Sequence, residues 1–161
     1  MEEFQLASRK AHEKLKLADH MLTQTYPLVR DPKLLVAVME NIFLALTNAM
    51  ASVLYYERTF KSIPPFVDNF ENKLRLFREK CTPKYSLSRK YLDTITEVKE
   101  AVLAHRRSPI EFARKENFVI CSDNYKLRTI TIEQIKGYIG LTKTFLKETA
   151  VIVSKNERIF R

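Results

Sequence analysis

Glycine is nearly absent from this chain of 161 residues, which contains only Gly137 and Gly140. A Walker-type or dinucleotide-binding phosphate loop needs several glycines within a few residues of each other, so these two classes of nucleotide site are excluded. The scarcity of glycine, with only six prolines, also disfavours a fold built from many strands and tight turns. The chain is therefore expected to be mainly helical.

Cysteine and histidine are scarce as well. Cys81 and Cys121 lie far apart and form no Cys-x-x-Cys pair, so neither a disulfide scaffold nor a zinc site is predicted. The three histidines form no Glu-x-x-His or His-x-x-x-His pair, which excludes the di-iron sites of helical bundles. His20 with Asp19 and Glu40 is the one remaining combination, and we expect it to be a hydrogen-bonded or surface group. No metal site and no cofactor are predicted.

Motifs of nucleophilic catalysis are also missing. The sequence has no Gly-x-Ser-x-Gly, and neither cysteine has a recognisable spacing to a histidine. Cys81 ends an apolar helical stripe, so we expect it to be a small buried side chain. No catalytic residue is predicted, and a binding protein is favoured over an enzyme.

Charge is distributed unevenly along the chain. Residues 1–60 carry seven basic and seven acidic side chains, so the other 21 basic and 12 acidic ones, and all of the net charge of +9, lie in residues 61–161. A surface that is basic on one side favours polyanionic partners such as nucleic acid. The first residues, MEEFQLASRK, lack the apolar segment of a secretory signal, which favours a cytoplasmic location.

The most apolar stretch runs from Leu34 to Tyr56 and predicts a long helix. Asp31 and Pro32 suit its cap and first turn. A helix that is apolar on nearly all sides is either a membrane span or the centre of a bundle. Glu40 near its middle is costly in lipid, so we predict the innermost helix of a soluble bundle without a membrane span.

Four other helices are predicted from apolar residues at steps of three and four. They lie at about 2–25, 66–81, 88–107 and 131–155. The short connection at 26–30 makes the first helix an antiparallel neighbour of the central one. The aromatic stripe at 66–81 is assigned to the core, and the outside of that helix is basic. Gly137 and Gly140 fall inside the last helix, where they indicate a close helix crossing or a bend, or else a ligand approaching the bare backbone.

The pattern changes between the last two of these helices. Ser108, Pro109 and Glu111 form a capping box that predicts a short helix to about Lys115. Residues 118–121 and 125–130 are β-prone and flank Ser122-Asp123-Asn124, which suits a turn. One short hairpin at about 118–130 is therefore predicted before the last helix.

The basic residues around these elements form the candidate binding site. Free amides at a helix start add an anion-binding element to nearby cations. Contacts of this kind with a phosphate backbone are non-specific and sensitive to salt. The predicted phosphate- or nucleic-acid-binding residues are His105, Arg106, Arg107, Ser108, Arg114, Lys115, Lys126 and Arg128.

The opening pair of helices resembles the HEPN group of small helical bundles. The resemblance rests on an A-x-x-x-L-x-x-A-D pattern from Ala11 to Asp19 and on the helix AVMENIFLALTNAMASVLYYE. Ribonucleases of that group carry an arginine four to six residues before a histidine. This chain has Lys99 before His105 at a similar spacing, so the resemblance implies a non-catalytic binding or partner role.

The sequence thus predicts a single all-α domain over residues 1–161. Four main helices form an up-down bundle around the buried central helix, with the hairpin appended. The leading function is a cytoplasmic binding protein whose basic C-terminal part contacts nucleic acid or an acidic partner. Two alternatives remain: a structural homodimer joined through Asn41, Asn48 and Ser52, and a HEPN-type ribonuclease using His105 with Arg106 or Arg107.

Overall fold

A computed structural model of the chain describes residues 1–107, 111–114, 117–121 and 127–155. The long helices there are α1 (Glu3–His20), α3 (Pro32–Thr59), α6 (Arg89–Arg107) and α7 (Ile132–Ser154). The short ones are α2 (Tyr26–Val29), α4 (Phe70–Leu76) and α5 (Thr82–Lys84). Single π-helical turns, Met21–Thr25 and Phe77–Cys81, join α1 to α2 and α4 to α5. The predicted all-α class is confirmed.

Three short strands lie between α6 and α7. They are β1 (Glu111–Arg114), β2 (Asn117–Cys121) and β3 (Leu127–Ile130), paired antiparallel in the order β1-β2-β3. The short helix predicted up to Lys115 is wrong, because Glu111–Arg114 is a strand. A helix of one or two turns makes few internal hydrogen bonds, whereas pairing with β2 satisfies the backbone in a ladder. Residues 122–126, where the turn of the hairpin is predicted, lie outside the described residues.

The core is organised around α3. This helix contacts α1, α4, α6 and α7, and Leu35, Ile42, Leu46 and Leu54 on it are completely buried. The Asp31 side chain accepts a hydrogen bond of 3.0 Å from the backbone amide of Lys33, as expected of the cap. The predicted long apolar helix is therefore present, and it packs against four other helices.

The first helix runs antiparallel to α3. Glu3 at the start of α1 pairs with Arg58 at the end of α3, with 2.7 Å between the carboxylate and the guanidinium. At the other end, Met21 contacts Asn41, whose amide nitrogen is 3.8 Å from the methionine sulfur. These end-to-end contacts confirm the predicted orientation. The turn predicted at 26–30 is shorter in the structure, because Tyr26–Val29 is helical. The chain reverses at Arg30, which has a φ of 52°.

Among the described helices, α3 is the one that is long and apolar enough to cross a membrane. Its most apolar window has a mean hydropathy of 1.7, and half of that window is buried inside the protein. A buried core helix meets the same length and composition test as a membrane span.

The close helix crossing expected at Gly137 and Gly140 is wrong. Both glycines are exposed, and a Cβ added at either would meet nothing within 4 Å. Neither has a positive φ, and α7 continues through both positions. The glycines therefore cost helix propensity without serving the packing of this chain.

We expect Gly137→Ala and Gly140→Ala each to raise the free energy of unfolding by about 0.5–1 kcal/mol. Alanine restricts the unfolded chain and fits the open space at both positions. Urea unfolding followed by circular dichroism measures the change. Ala150→Gly, on the same helix, is the matched control and should lower stability by a similar amount. A loss of stability in both alanine variants would mean that a neighbouring group occupies this face.

Candidate functional site

The predicted basic site is described only in part. His105 is half-buried near the end of α6, and Arg106 and Arg107 are the last residues of that helix. Arg114 ends β1, with its backbone opposite Asn117. The backbone of Arg128 lies opposite Ile120 in the β2–β3 pair. Ser108, Lys115 and Lys126 lie outside the described residues. The convergence of these side chains on one phosphate site remains a prediction.

A second polar cluster, which sequence reasoning missed, surrounds Glu57 near the end of α3. Glu57 is only 1% exposed. Its carboxylate accepts a hydrogen bond from the Tyr85 hydroxyl on one oxygen and lies 2.9 Å from the ammonium nitrogen of Lys84 on the other. A buried charge is tolerated only when it is paired and hydrogen-bonded, and these two contacts meet that need.

The approach of Lys84 and Tyr85 to Glu57 depends on the π-helical turn Phe77–Cys81. Such a turn adds one residue to a helix and often occurs at functional sites. Cys81 ends it and is completely buried, and the hydroxyl-bearing Tyr85 follows after α5. A lone acidic residue that continues a buried apolar stripe was the available signal for Glu57. The π-helical turn has no such signal, so its partners could not be named from the sequence.

Burial controls the acid–base properties of this cluster. Burial raises the pKa of the Cys81 thiol to about 12, and the charge of Glu57 adds to the rise while Lys84 opposes it. Burial, followed by the hydrogen bond to Glu57, also raises the pKa of Tyr85. Because a thiolate is the reactive form of cysteine, Cys81 is not a nucleophile at neutral pH. Its predicted role as a small buried side chain is confirmed.

Tyr85 also forms one wall of a pocket of about 320 Å³ between the turn after α5 and the last turns of α7. The ammonium groups of Lys84 and Lys155 lie 5.3 and 5.4 Å from the centre of its ring. Cations at this distance are attracted to the face of an aromatic ring. The residues that line the pocket are Tyr85, Leu87, Lys147, Glu148, Val151, Ile152 and Lys155.

A basic surface lies on the outside of the segment that carries Tyr85. Residues 70–90 contain seven basic side chains and two acidic ones. Two of the cations have buried or nearby carboxylate partners: Lys84 pairs with Glu57, and Lys73 lies 3.0 Å from Asp68. The other five are exposed and are here called the α4–α6 basic surface: Arg75, Arg78, Lys80, Arg89 and Lys90.

The aromatic stripe beneath that surface belongs to the core, as predicted. Phe77 is fully buried, and its ring is 5.9 Å from that of Phe145. Phe70 is half-buried 5.8 Å from Phe43, centre to centre. The helix begins at Phe70, later than predicted, because the Asn69 side chain caps it by accepting a bond from Asn72.

The polar seam of α3 is satisfied within the chain. The amide groups of Asn41 and Asn48 donate to the carbonyl oxygens of Ala37 and Leu44, at 2.8 and 2.7 Å. Ser52 is completely buried and donates to Ala49. Ser52 therefore does not reach a second copy of the chain, which corrects that part of the homodimer alternative.

No group of three or more potential metal ligands occurs in the part of the chain that the structure describes. Asp19 instead lies 3.1 Å from the ammonium group of Lys143 on α7, and His20 is exposed. No known protein family and no curated protein matches this sequence.

We expect Tyr85→Phe to lower the free energy of unfolding by about 1.5–3 kcal/mol, the usual value of a hydrogen bond to a charged group. The matched control is Tyr55→Phe, which removes a 2.5 Å hydrogen bond to Asp68 in an exposed setting. Because water replaces that partner, the control should lose less than about 1 kcal/mol. Equal losses in urea unfolding would contradict the role assigned to the buried carboxylate.

Stability should fall as pH rises above about 9. The Cys81 thiol titrates near 9.0 in the unfolded chain and at about 12 in the folded one, so the folded state holds more protons between these values. The stabilisation is complete below the lower pKa and is lost through this window, by at most about 1.4 kcal/mol per pH unit. Urea unfolding at increasing pH measures it. Cys81→Ala should show a smaller fall between about pH 9 and 10, and an unchanged slope would contradict this assignment.

Proposed function

We propose that this protein is a non-catalytic binding protein whose basic later part contacts nucleic acid. The observation that supports the proposal best is the α4–α6 basic surface, where five exposed cations follow one another within residues 75–90. The predicted site from His105 to Arg128 continues along the chain and adds further cations.

Two features of this surface suit a phosphate backbone. Its cations stand on helical turns fixed to the core by Leu74, Phe77 and Cys81, which are buried on the inner side of the same segment. The acidic Glu71 pairs with the ammonium group of Lys99 at 2.6 Å, which neutralises one of the two acidic side chains of residues 70–90. An array of cations of this kind gains affinity by releasing counterions from the polyanion and carries no sequence preference.

The proposal includes the architecture on which it depends. We place α3 at the centre of a water-soluble, cytoplasmic up-down bundle of α1, α3, α6 and α7, with the strands appended at one side. The burial of Glu57 near the end of α3 supports this placement, because its charge is paired with Lys84 from another segment of the same chain.

A charge-reversal experiment tests the proposal. Binding of a labelled single-stranded oligonucleotide is measured at several salt concentrations for the parent chain and for the variant Arg78→Glu, Lys80→Glu, Arg89→Glu. We expect the parent to bind with a steep salt dependence. If each cation meets one phosphate, the variant should lose about two units of the log–log salt slope, since each contact contributes roughly 0.7.

The control variant reverses an equal number of positive charges on α1, away from the α4–α6 basic surface. Arg9, Lys10 and Lys16 are exposed on α1, and their reversal to Glu should alter the slope far less. A third variant reverses Arg106, Arg107 and Arg114 and tests the continuation of the surface. Identical slopes for all four proteins would refute the proposal, as would a parent chain that binds acidic polypeptide but no oligonucleotide.

A further inference from the structure

We propose that the pocket beside Tyr85 binds a small organic anion with an apolar body, of the monocarboxylate class. The pocket uses none of the cations of the α4–α6 basic surface, so the inference does not rest on the proposed contact with nucleic acid.

The apolar part of the ligand is indicated by the floor and rim of the pocket. Leu87 and Ile152 are 8% and 4% exposed and form an apolar floor. Val151 is 61% exposed at the rim, where it adds apolar surface next to this floor. A ligand with a hydrocarbon body would cover this valine and remove its surface from water.

The anionic part is indicated by the charges at the rim. Lys147 and Lys155 are exposed and line the same pocket, separated by two turns of α7. The one acidic group among the described lining residues is Glu148. Its carboxylate accepts a hydrogen bond from the hydroxyl of Tyr91. Burial raises the pKa of Tyr91, and this hydrogen bond raises it further. The pocket therefore presents two cations to a ligand, with its single carboxylate already occupied.

The Tyr85 wall is held in place before a ligand arrives. Its hydroxyl is bound to the buried carboxylate of Glu57, and its ring lies against Lys84 and Lys155. A wall fixed by the core loses little conformational freedom when it is contacted, which favours binding. The same contacts place the Lys155 ammonium group at the edge of the apolar floor.

The lining also limits the ligand class. Among the described lining residues, the hydroxyl of Tyr85 and the carboxylate of Glu148 already have partners. A ligand rich in hydroxyl or amide groups would leave its own polar groups unmatched there, and unmatched buried groups are costly. A single carboxylate on an apolar body needs only the two lysines and the apolar floor.

The experiment uses octanoate as the probe, titrated into the full chain and followed by two-dimensional NMR of the backbone amides. We expect saturable shifts that are centred on Leu87 and on the last turns of α7. Acetate lacks the apolar body and octanamide lacks the charge, so each should bind at least about tenfold more weakly. Equal affinity for all three compounds would overturn the proposal.

Variants then locate the site. Lys147→Met with Lys155→Met should weaken octanoate binding about tenfold or more, and Val151→Glu should do the same by placing a negative charge at the rim. Lys136→Met, an exposed lysine on the same helix outside the pocket, is the matched control and should bind as the parent does. Octanoate binding that survives both pocket variants would overturn the proposal. The oligonucleotide measurements are independent, so the two proposals can fail separately.

Discussion

The structure depends on covering α3. Its apolar residues occupy nearly the whole circumference of the helix, so no single partner can bury them, and α1, α4, α6 and α7 all pack against it. Removing this surface from water is the main favourable contribution to folding. The polar groups that lie within it are satisfied locally: Ser52 donates to the carbonyl of Ala49, and Asn41 and Asn48 donate to carbonyls one turn earlier.

Glu57 differs from these polar residues of α3, because its hydrogen-bond partners do not belong to the same helix. Its partners come from the segment after the π-helical turn, far along the chain. One buried carboxylate thereby ties the end of the central helix to Lys84 and Tyr85, and Tyr85 in turn faces the pocket beside α7. The buried Glu57 carboxylate and the pocket beside α7 are therefore linked through one side chain, Tyr85.

Much of the helical framework could be predicted from the sequence, because caps and apolar periodicity act locally. Asp31 caps α3 as expected, and Thr131 caps α7 in a capping box with Gln134, a pattern that can be read from the sequence. The error at Glu111–Arg114 arose because a capping pattern is also local, whereas a strand is stabilised by a partner elsewhere. The error at Gly137 and Gly140 has another cause. The sequence shows that these positions lack a side chain, but it does not show whether a neighbouring helix occupies the space. The partners of Glu57 could not be predicted for the same reason, because Lys84 and Tyr85 are distant from it in the sequence.

The number of residues in the π-helical turn Phe77–Cys81 determines the direction in which the side chains after it point. A π-helical turn contains one residue more than the α-helical geometry requires. Deleting a residue there would permit a regular helix and would rotate everything after it by roughly 100°. Lys84 and Tyr85 would then leave the side of the segment that faces Glu57. Five residues of ordinary composition thus act as a spacer whose length, more than its identity, decides whether the buried carboxylate keeps its partners.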